Sequence, residues 1–474
     1  MKILLTGSTG YIGRRLKQQL LQNPEIDLRV LVRNKKALSS GMDARVDVVE
    51  GDTFDREALH EALTGVDVAY YLIHSLAKAN YKALDRESAQ NFVDIAAQCG
   101  VKRIIYLGGL GVKDEHTSEH LLSRIETGEV LSSHPDVQTI WIRAGVIIGS
   151  GSASFEIVRN LVEKLPVMTT PKWVHTKAQP IAVEDVLSYL RESLFLDYSD
   201  DLIVDIGSEQ LSYKEMMIQC AEVLELKRYL IPVPFMSIHI SSYWLNLFTP
   251  VPYIVAKALI EGLKSEVVIQ NDHAQRYFPQ IKPIPYKEAI AHAIKEIKEH
   301  QVLSRWNDYG GKIWDEVHDK EFSDAIFMDR KERLLGDIPA NKVYAVFTEI
   351  GGENGWFDYD FLWEIRGVMD KILGGVGLQR GRRDQCDLRT GDCLDFWKVV
   401  DLQQNERLLL FAQMKLPGQA WLEFKIKENR LIQSAYFYPR GVWGRLYWYS
   451  LIPIHYLVFT NMIEGILKKA KQHP

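Results

Sequence analysis

The first thirteen residues constrain the chain most. Ile3, Leu4 and Leu5 form a short apolar run that stops at Gly7, as a buried strand does on entering a loop. Beyond the turn, Ile12, Leu16 and Leu20 recur every fourth residue and mark one face of a helix. A strand, a glycine-rich turn and a helix in this order form a cradle for a dinucleotide phosphate, because the helix N-terminus faces the negative charge. Gly7 is expected to allow the tight turn, Gly10 to let the backbone approach a pyrophosphate, and Gly13 to let helix and strand pack closely. Ser8, Thr9, Tyr11 and Ile12 complete the candidate cofactor contacts of this turn.

The spacing is Gly-x-x-Gly-x-x-Gly, with Thr6 before it and Tyr11 and Ile12 inside it. This form resembles the extended and atypical short-chain dehydrogenase/reductases, of which the NmrA-like and sugar-epimerase-like branches carry it. The resemblance implies an α/β fold, a Rossmann-like doubly wound parallel sheet, and a nicotinamide dinucleotide cofactor.

The chain has 474 residues, a length that favours more than one domain. Its hydrophobic share of 46% and charged share of 25% are those of a globular protein. A net charge of -5 gives no electrostatic case for nucleic acid. Cys99, Cys220, Cys386 and Cys393 lack the short paired spacing of a zinc or disulfide framework, so no metal site is expected and a reducing cytoplasm fits. Because the first residues already form a strand, no signal peptide is expected.

The second strand, residues 28–32, runs into Arg33, twenty residues past Gly13. A cofactor without a 2′-phosphate usually meets an acidic residue there. A guanidinium suits the phosphate instead, which favours NADP over NAD. Arg14 is a candidate helper, while Lys35 and Lys36 read as a solvated loop. The third strand, 46–50, is followed by Asp52 and Thr53. The resemblance implies that Asp52 bonds the adenine amino group; Asp52 and Thr53 are both also candidate caps for a helix over 55–63. The fourth strand, 68–73, places Leu72 and His74 at the carboxyl edge of the sheet, where parallel sheets bind ligands. Asn91, on the helix over 86–98, matches a position that relatives use near the site.

After the fifth strand, 103–107, the family pattern breaks. Active members carry a serine or threonine there and Tyr-x-x-x-Lys on the next helix, whose lysine lowers the tyrosine pKa. This chain has Gly108 and Gly109, and then His120 and Arg124 at the matching spacing. Histidine can act as acid or base, and arginine can hold ribose hydroxyls without ever losing its proton. His74, His120 and Arg124 are therefore the catalytic candidates. A sixth strand, 137–142, leads into a small-residue stretch, 149–155, expected to be flexible. Helices are expected over 156–164 and 182–196.

The domain boundaries expected are 1–300 for the nucleotide domain, with substrate-pocket insertions over about 150–300, then a linker at 301–322 and a second domain at 323–474. The aromatic, apolar stretch 238–263 is broken by Pro250 and Pro252 and reads as a pocket lid or packing surface. Beyond the linker come strands over 329–335, 394–400, 407–414, 420–426 and 431–438, a helix over 338–347, and a long terminal helix over 443–469. This pattern resembles the START/polyketide-cyclase helix-grip domains, which implies an α+β fold closing an apolar cavity around its last helix. The two-domain order as a whole resembles bacterial NAD(P)H-binding proteins with a C-terminal domain of unknown function. Arg380, Arg382, Arg383 and Arg389 read either as an anion site or as a solvated strand edge. Residues 446–463 carry no formal charge and are about long enough to span a bilayer, which Pro453, His455 and Asn461 count against. Trp443, Tyr447, Trp448, Tyr449 and Tyr456 suit a cavity-lining helix or peripheral membrane contact.

The function expected is an NADP-dependent oxidoreductase of an apolar or quinone-like small molecule, held in part by the C-terminal cavity. The alternatives are a non-catalytic NAD(P)H sensor and, with less support, a nucleotide-sugar epimerase. The location expected is the cytoplasm or the inner membrane face.

Overall fold

The computed structural model describes residues 1–33, 35, 38, 45–74, 81–114, 117–233, 261–262, 265–299, 302–304, 327–357, 359–372, 375, 377–378, 381–385 and 387–472. The apolar stretch 238–263 and the linker 301–322 lie almost wholly outside these residues, as do Lys36, Ser75, Arg380 and Cys386. The chain divides into two compact units: Met1–Lys35 with Met42–Trp306, and Lys36–Gly41 with Asn307–Pro474.

The first unit is built on β1 (Lys2–Thr6), β2 (Asp27–Val32), β3 (Val46–Glu50), β4 (Val68–Tyr71), β5 (Arg103–Gly109) and β6 (Gln138–Ala144). Helices α1 (Tyr11–Leu20), α2 (Arg56–Leu63), α3 (Tyr81–Gln98) and α4 (Glu119–Leu131) connect them. Beyond β6 come β7 (Ile147–Ile148), α5 (Ala153–Lys164), β8 (Val167–Thr170), β9 (Lys177–Ala178), β10 (Ile181–Ala182) and α6 (Val183–Glu192). The chain then returns to the sheet as β11 (Leu202–Ile206). The seven-stranded sheet runs β11-β6-β5-β4-β1-β2-β3, and every pairing is parallel. Its fold is Rossmann-like and doubly wound. Strands of this kind are buried on both faces, so Ile3, Leu4, Leu5, Ala69 and Ile104 are all fully buried. The winding reverses between β1 and β4, and their carboxyl ends open the crevice where such sheets take ligands.

The remainder of this unit holds β12 (Leu211–Ser212), α7 (Tyr213–Val223), β13 (Tyr229–Pro232), α8 (His273–Tyr277) and α9 (Tyr286–Lys298). Helix α7 starts with a reciprocal cap in which Ser212 and Glu215 satisfy each other's backbone N–H. The stretch expected to be flexible, 149–155, is instead held in the interior. Ser150 is fully buried and accepts from the Arg15 guanidinium at 2.8 Å, while Ser152 caps α5 by accepting from the Phe155 N–H.

The second unit is α+β. Its six antiparallel strands are β14 (Phe327–Leu334), β15 (Cys393–Leu394), β16 (Trp397–Gln403), β17 (Arg407–Ala412), β18 (Gly418–Lys427) and β19 (Arg430–Pro439), ordered β14-β19-β18-β17-β16-β15. The helices are α10 (Ala340–Thr348), α11 (Asp360–Ile372) and α12 (Gly441–Gln472). One face of the sheet packs on the second half of α12 through Val399, Leu410, Leu422 and Phe424 against Phe459, Met462 and Ile466.

Three expectations are corrected here. The single strand over 394–400 is two, because Asp395 adopts φ +53° and folds β15 back on β16. Helix α11 was not anticipated. The arginine cluster is neither an anion site nor a solvated edge among its described members. Arg382 donates to the Ile350 carbonyl at 2.9 Å, and Arg383 is paired with Asp392 at 3.1 Å and Asp387 at 2.8 Å, both arginines being buried.

Candidate functional site

The turn after β1 is made of backbone packed on backbone. Gly7 has φ +67°, a left-handed conformation that L side chains rarely take, and a Cβ there would stand 2.5 Å from the Leu72 carbonyl oxygen. A Cβ on Gly13 would lie 2.1 Å from the Gly7 carbonyl oxygen, so this glycine packs α1 on the turn rather than on the strand itself. The Gly10 N–H donates to the Gly7 carbonyl at 2.9 Å and closes the turn. Gly10 is also the N-cap of α1 and supplies no side-chain acceptor, which leaves the first N–H groups of the helix for a ligand. Ser8 Oγ is buried and has no hydrogen-bond partner among the described residues. An orphaned hydroxyl beside uncapped helix N–H groups, in a turn whose backbone packing leaves no room for a Cβ at Gly7 or Gly13, fits a pyrophosphate.

Other residues of the turn hold it in place. The Thr6 hydroxyl donates to the Tyr70 carbonyl at 2.8 Å and accepts from the Leu72 N–H at 3.2 Å, tying the ends of β1 and β4 together. Leu72 thus contributes its backbone to the cradle wall. The Arg14 Nε donates to the Thr9 carbonyl at 2.8 Å, so Arg14 braces the loop instead of helping with a phosphate. The Tyr11 ring lies under the Arg15 guanidinium at 5.1 Å, and its buried hydroxyl points at Gly149, away from the turn. Burial pushes the Tyr11 phenol well above its ordinary pKa, against the pull of Arg15. Ile12 is half-buried within the first turn of α1.

Arg33 follows β2 and Asp52 follows β3, both at the carboxyl edge beside the cradle, since β2 pairs with β1 and β3 with β2. Asp52 is not a helix cap: its Oδ1 accepts from the Phe54 N–H at 2.8 Å and shapes the loop. The cap of α2 is Asp55, which accepts from the Glu57 and Ala58 N–H groups. Thr53 is turned inward, its hydroxyl 2.6 Å from Ser88 Oγ, which in turn lies 2.7 Å from the Tyr71 hydroxyl. Asn91 likewise serves the loop: it accepts from Arg56 and donates to the Thr53 carbonyl.

The catalytic candidates meet. His74 stands just beyond β4, and His120 lies on the first turn of α4, with ring centroids 6.3 Å apart. Arg124, one turn further along α4, donates to the Leu107 carbonyl at 2.9 Å and stacks over Tyr106 at 6.0 Å. His74 is exposed; desolvation, then the charges of Arg124 and His120, shift its pKa below the ordinary value. Burial, then Arg124, lowers His120 to about 4. Both imidazoles are therefore neutral at pH 7, and the nearby positive charge is the guanidinium.

The missing serine has a structural reason. A Cβ on Gly108 would lie 2.3 Å from Trp141 Nε1, and one on Gly109 would lie 2.6 Å from Leu121 Cδ1. The large side chains of β6 and α4 occupy the space that a serine would take. Among the described residues no cluster of His, Cys, Asp or Glu is arranged to hold a metal.

Strand order, switch point and a glycine turn with an uncapped helix N-terminus together define a dinucleotide-binding domain. Residues 7–142 match the NAD(P)H-binding family model, and residues 322–462 match a family described as a protein of unknown function, DUF2867. The chain is 25% identical over 241 residues to the ceramide reductase of Caulobacter vibrioides, covering 49% of this chain and 73% of that one. It is 30% identical over 112 residues to an NmrA-like family domain-containing oxidoreductase of Aspergillus flavus, covering 23% of this chain and 34% of that one. In structure it resembles the triphenylmethane reductase of a Citrobacter species, with TM-score 0.51 and 22% identity over 62% of this chain and all of that one, a likeness of fold. The N-terminal domain matches the NAD(P)H-binding model and is similar to NmrA-like and epimerase-like reductases.

Proposed function

We propose that the protein is an NADPH-dependent reductase of an apolar carbonyl or quinone-like compound, acting in the cytoplasm or at the inner membrane face. The observation that carries this reading is the convergence of His74, His120 and Arg124 at the carboxyl edge of β4 and β5, beside the cradle. Gly7, Ser8, Gly10 and Gly13 would seat the pyrophosphate, Arg33 the 2′-phosphate, and Asp52 the adenine. When bound, the nicotinamide supplies a hydride. His120 or His74, neutral, would donate its N–H to the substrate oxygen as it gains charge and, in passing on that proton, take another from water at its second ring nitrogen. Arg124, with donors left after its bond to Leu107, would orient a ribose hydroxyl and stabilise the developing charge. The ceramide reductase relative supports an apolar substrate.

The C-terminal domain would hold or deliver that substrate, in the manner of a helix-grip cavity. Gln433 supports this, because it lies buried on the sheet–helix face with neither end of its amide partnered among the described residues. A second reading, an NAD(P)H sensor without turnover, is favoured by Trp141 and Leu121 filling the place of the usual serine.

Calorimetric titration with NADPH and NADH, followed by assay of NADPH oxidation with a naphthoquinone acceptor, tests both readings. Arg33 predicts NADPH binding tighter by at least about tenfold, the worth of one charged contact of roughly 1.4 kcal/mol. His120→Ala is expected to abolish turnover while leaving cofactor affinity unchanged. Tight binding with no turnover on any apolar acceptor would support the sensor, and equal binding of NADH would remove the 2′-phosphate role of Arg33.

A further inference from the structure

The second unit carries an apolar surface that its own core leaves uncovered. On α11, Phe361, Ile365, Val368, Met369 and Ile372 are all exposed, and their spacing puts them on one helix face. The first half of α12 does the same with Trp443, Leu446, Tyr449, Tyr456 and Leu457, of which Trp443 is 78% exposed. The two helices join at one end of the sheet. The Arg366 guanidinium of α11 lies near the Tyr447 side chain of α12 and donates to the Lys415 carbonyl at 3.3 Å, and the Arg440 N–H donates to the Pro417 carbonyl in the same β17–β18 turn. Exposed apolar helix faces of this kind on a folded domain mark a partner surface.

The charge around the patch identifies the partner. Lys415, Arg440 and Arg445 are exposed at its rim. Helix α12 carries no acidic residue before Glu464. On α11, Asp370 is buried and accepts from the Lys415 N–H, Asp360 accepts from the Trp356 N–H, and Glu364 is the exposed acid. A basic rim on a chain of net charge -5, around an apolar face carrying tryptophan and tyrosine, matches an anionic lipid surface.

The second half of α12 decides how such contact occurs. Val458, Phe459, Met462, Ile463 and Ile466 are buried in the sheet–helix core, so the stretch 446–463 cannot cross a bilayer while the domain is folded. The exposed part, 441–457, is about 17 residues, short of the roughly 20 that a span needs. Pro453 lacks an N–H, so the Tyr449 carbonyl loses its helical partner at the middle of the patch. A polar group there suits the headgroup boundary and not the hydrocarbon centre.

We infer that α11 and the first half of α12 dock the protein on the surface of an anionic membrane, lying in the interface without crossing it. This inference stands apart from the cofactor reading.

The test is co-sedimentation of the full chain with vesicles of phosphatidylcholine alone or mixed with phosphatidylglycerol. The protein is expected to pellet with the mixed vesicles, to be released by high salt, and to be extracted by alkaline carbonate. W443Q/L446Q alters exposed side chains, so its fold is expected to persist, with an unchanged melting temperature as the check. Its lipid partition is expected to fall at least about tenfold, two apolar side chains withdrawn from lipid being worth more than the roughly 1.4 kcal/mol that this requires. R440Q/R445Q is expected to lose the preference for phosphatidylglycerol. No pelleting with either vesicle, or equal partition of W443Q/L446Q, would overturn the inference. So would carbonate-resistant retention, which means a span. A concentration-dependent dimer in light scattering that W443Q/L446Q abolishes, without vesicle binding, would assign the face to a second copy of the chain.

Discussion

Two strand ends of the N-terminal sheet are rich in glycine, and the glycines do opposite things. After β1, Gly7 and Gly13 let backbone approach backbone, which packs the turn against Leu72 and against α1. At the end of β5, Gly108 and Gly109 admit the chain's own side chains, Trp141 and Leu121. The first site packs backbone on backbone; at the second, side chains stand where a serine would. A glycine therefore carries functional meaning only through what fills the volume of its absent side chain.

The comparison breaks most visibly at the cradle. Gly13→Val would drive a Cβ into the Gly7 carbonyl, an atom of the backbone that cannot swing aside. Loss of NADPH binding by more than about a hundredfold in calorimetry is expected, because the turn must open to fit it. Retained affinity would mean that the cradle is not the cofactor site.

A smaller effect is expected after β5. Gly109→Ser meets the end of a flexible leucine, so the cost in denaturant unfolding should be about 1–3 kcal/mol. Leu121→Ala in the same chain should recover part of that cost, giving a favourable coupling in a double-mutant cycle. Additive losses would show that Leu121 is not what excludes the serine.

The smallest effect concerns protons. The folded pKa of His120, about 4, lies below its ordinary 6.5, so the unfolded chain binds more protons between these values. Stability is then full above about pH 6.5 and falls as pH drops towards 4. His120→Gln should remove about 1 kcal/mol of that loss at pH 6, read as a flatter dependence of the unfolding midpoint on pH. An unchanged slope would place His120 in solvent.

Much of the cofactor half was legible because strand, turn and helix signals there are local. The 3.6-residue recurrence of Ile12, Leu16 and Leu20 and the stop at Gly7 need only nearest neighbours in the chain. The meeting of His74 and His120 was also readable, since one follows β4 and the other follows β5, which pair in the sheet. The inward turn of Thr53 onto Ser88 was not, because that bond joins residues 35 positions apart. Nor was the burial of Arg382 and Arg383, whose charges read as surface until Asp392 and the Ile350 carbonyl are brought to them. The helical spacing of Phe361, Ile365, Val368 and Ile372 stands in the sequence, but that this apolar face of α11 points outward was decided by the fold.

Local sequence therefore determined the parallel α/β domain, its phosphate turn, the strands of the second unit and the long terminal helix. Apolar periodicity and glycine placement act over a few residues and survive without tertiary context. Only the tertiary structure decided that Trp141 and Leu121 close the serine position and that Thr53 faces the core. It also decided that α12 is packed in the core along its second half and leaves one face exposed in its first. Those outcomes depend on which distant surfaces compete for the same volume, and no stretch of sequence contains both competitors.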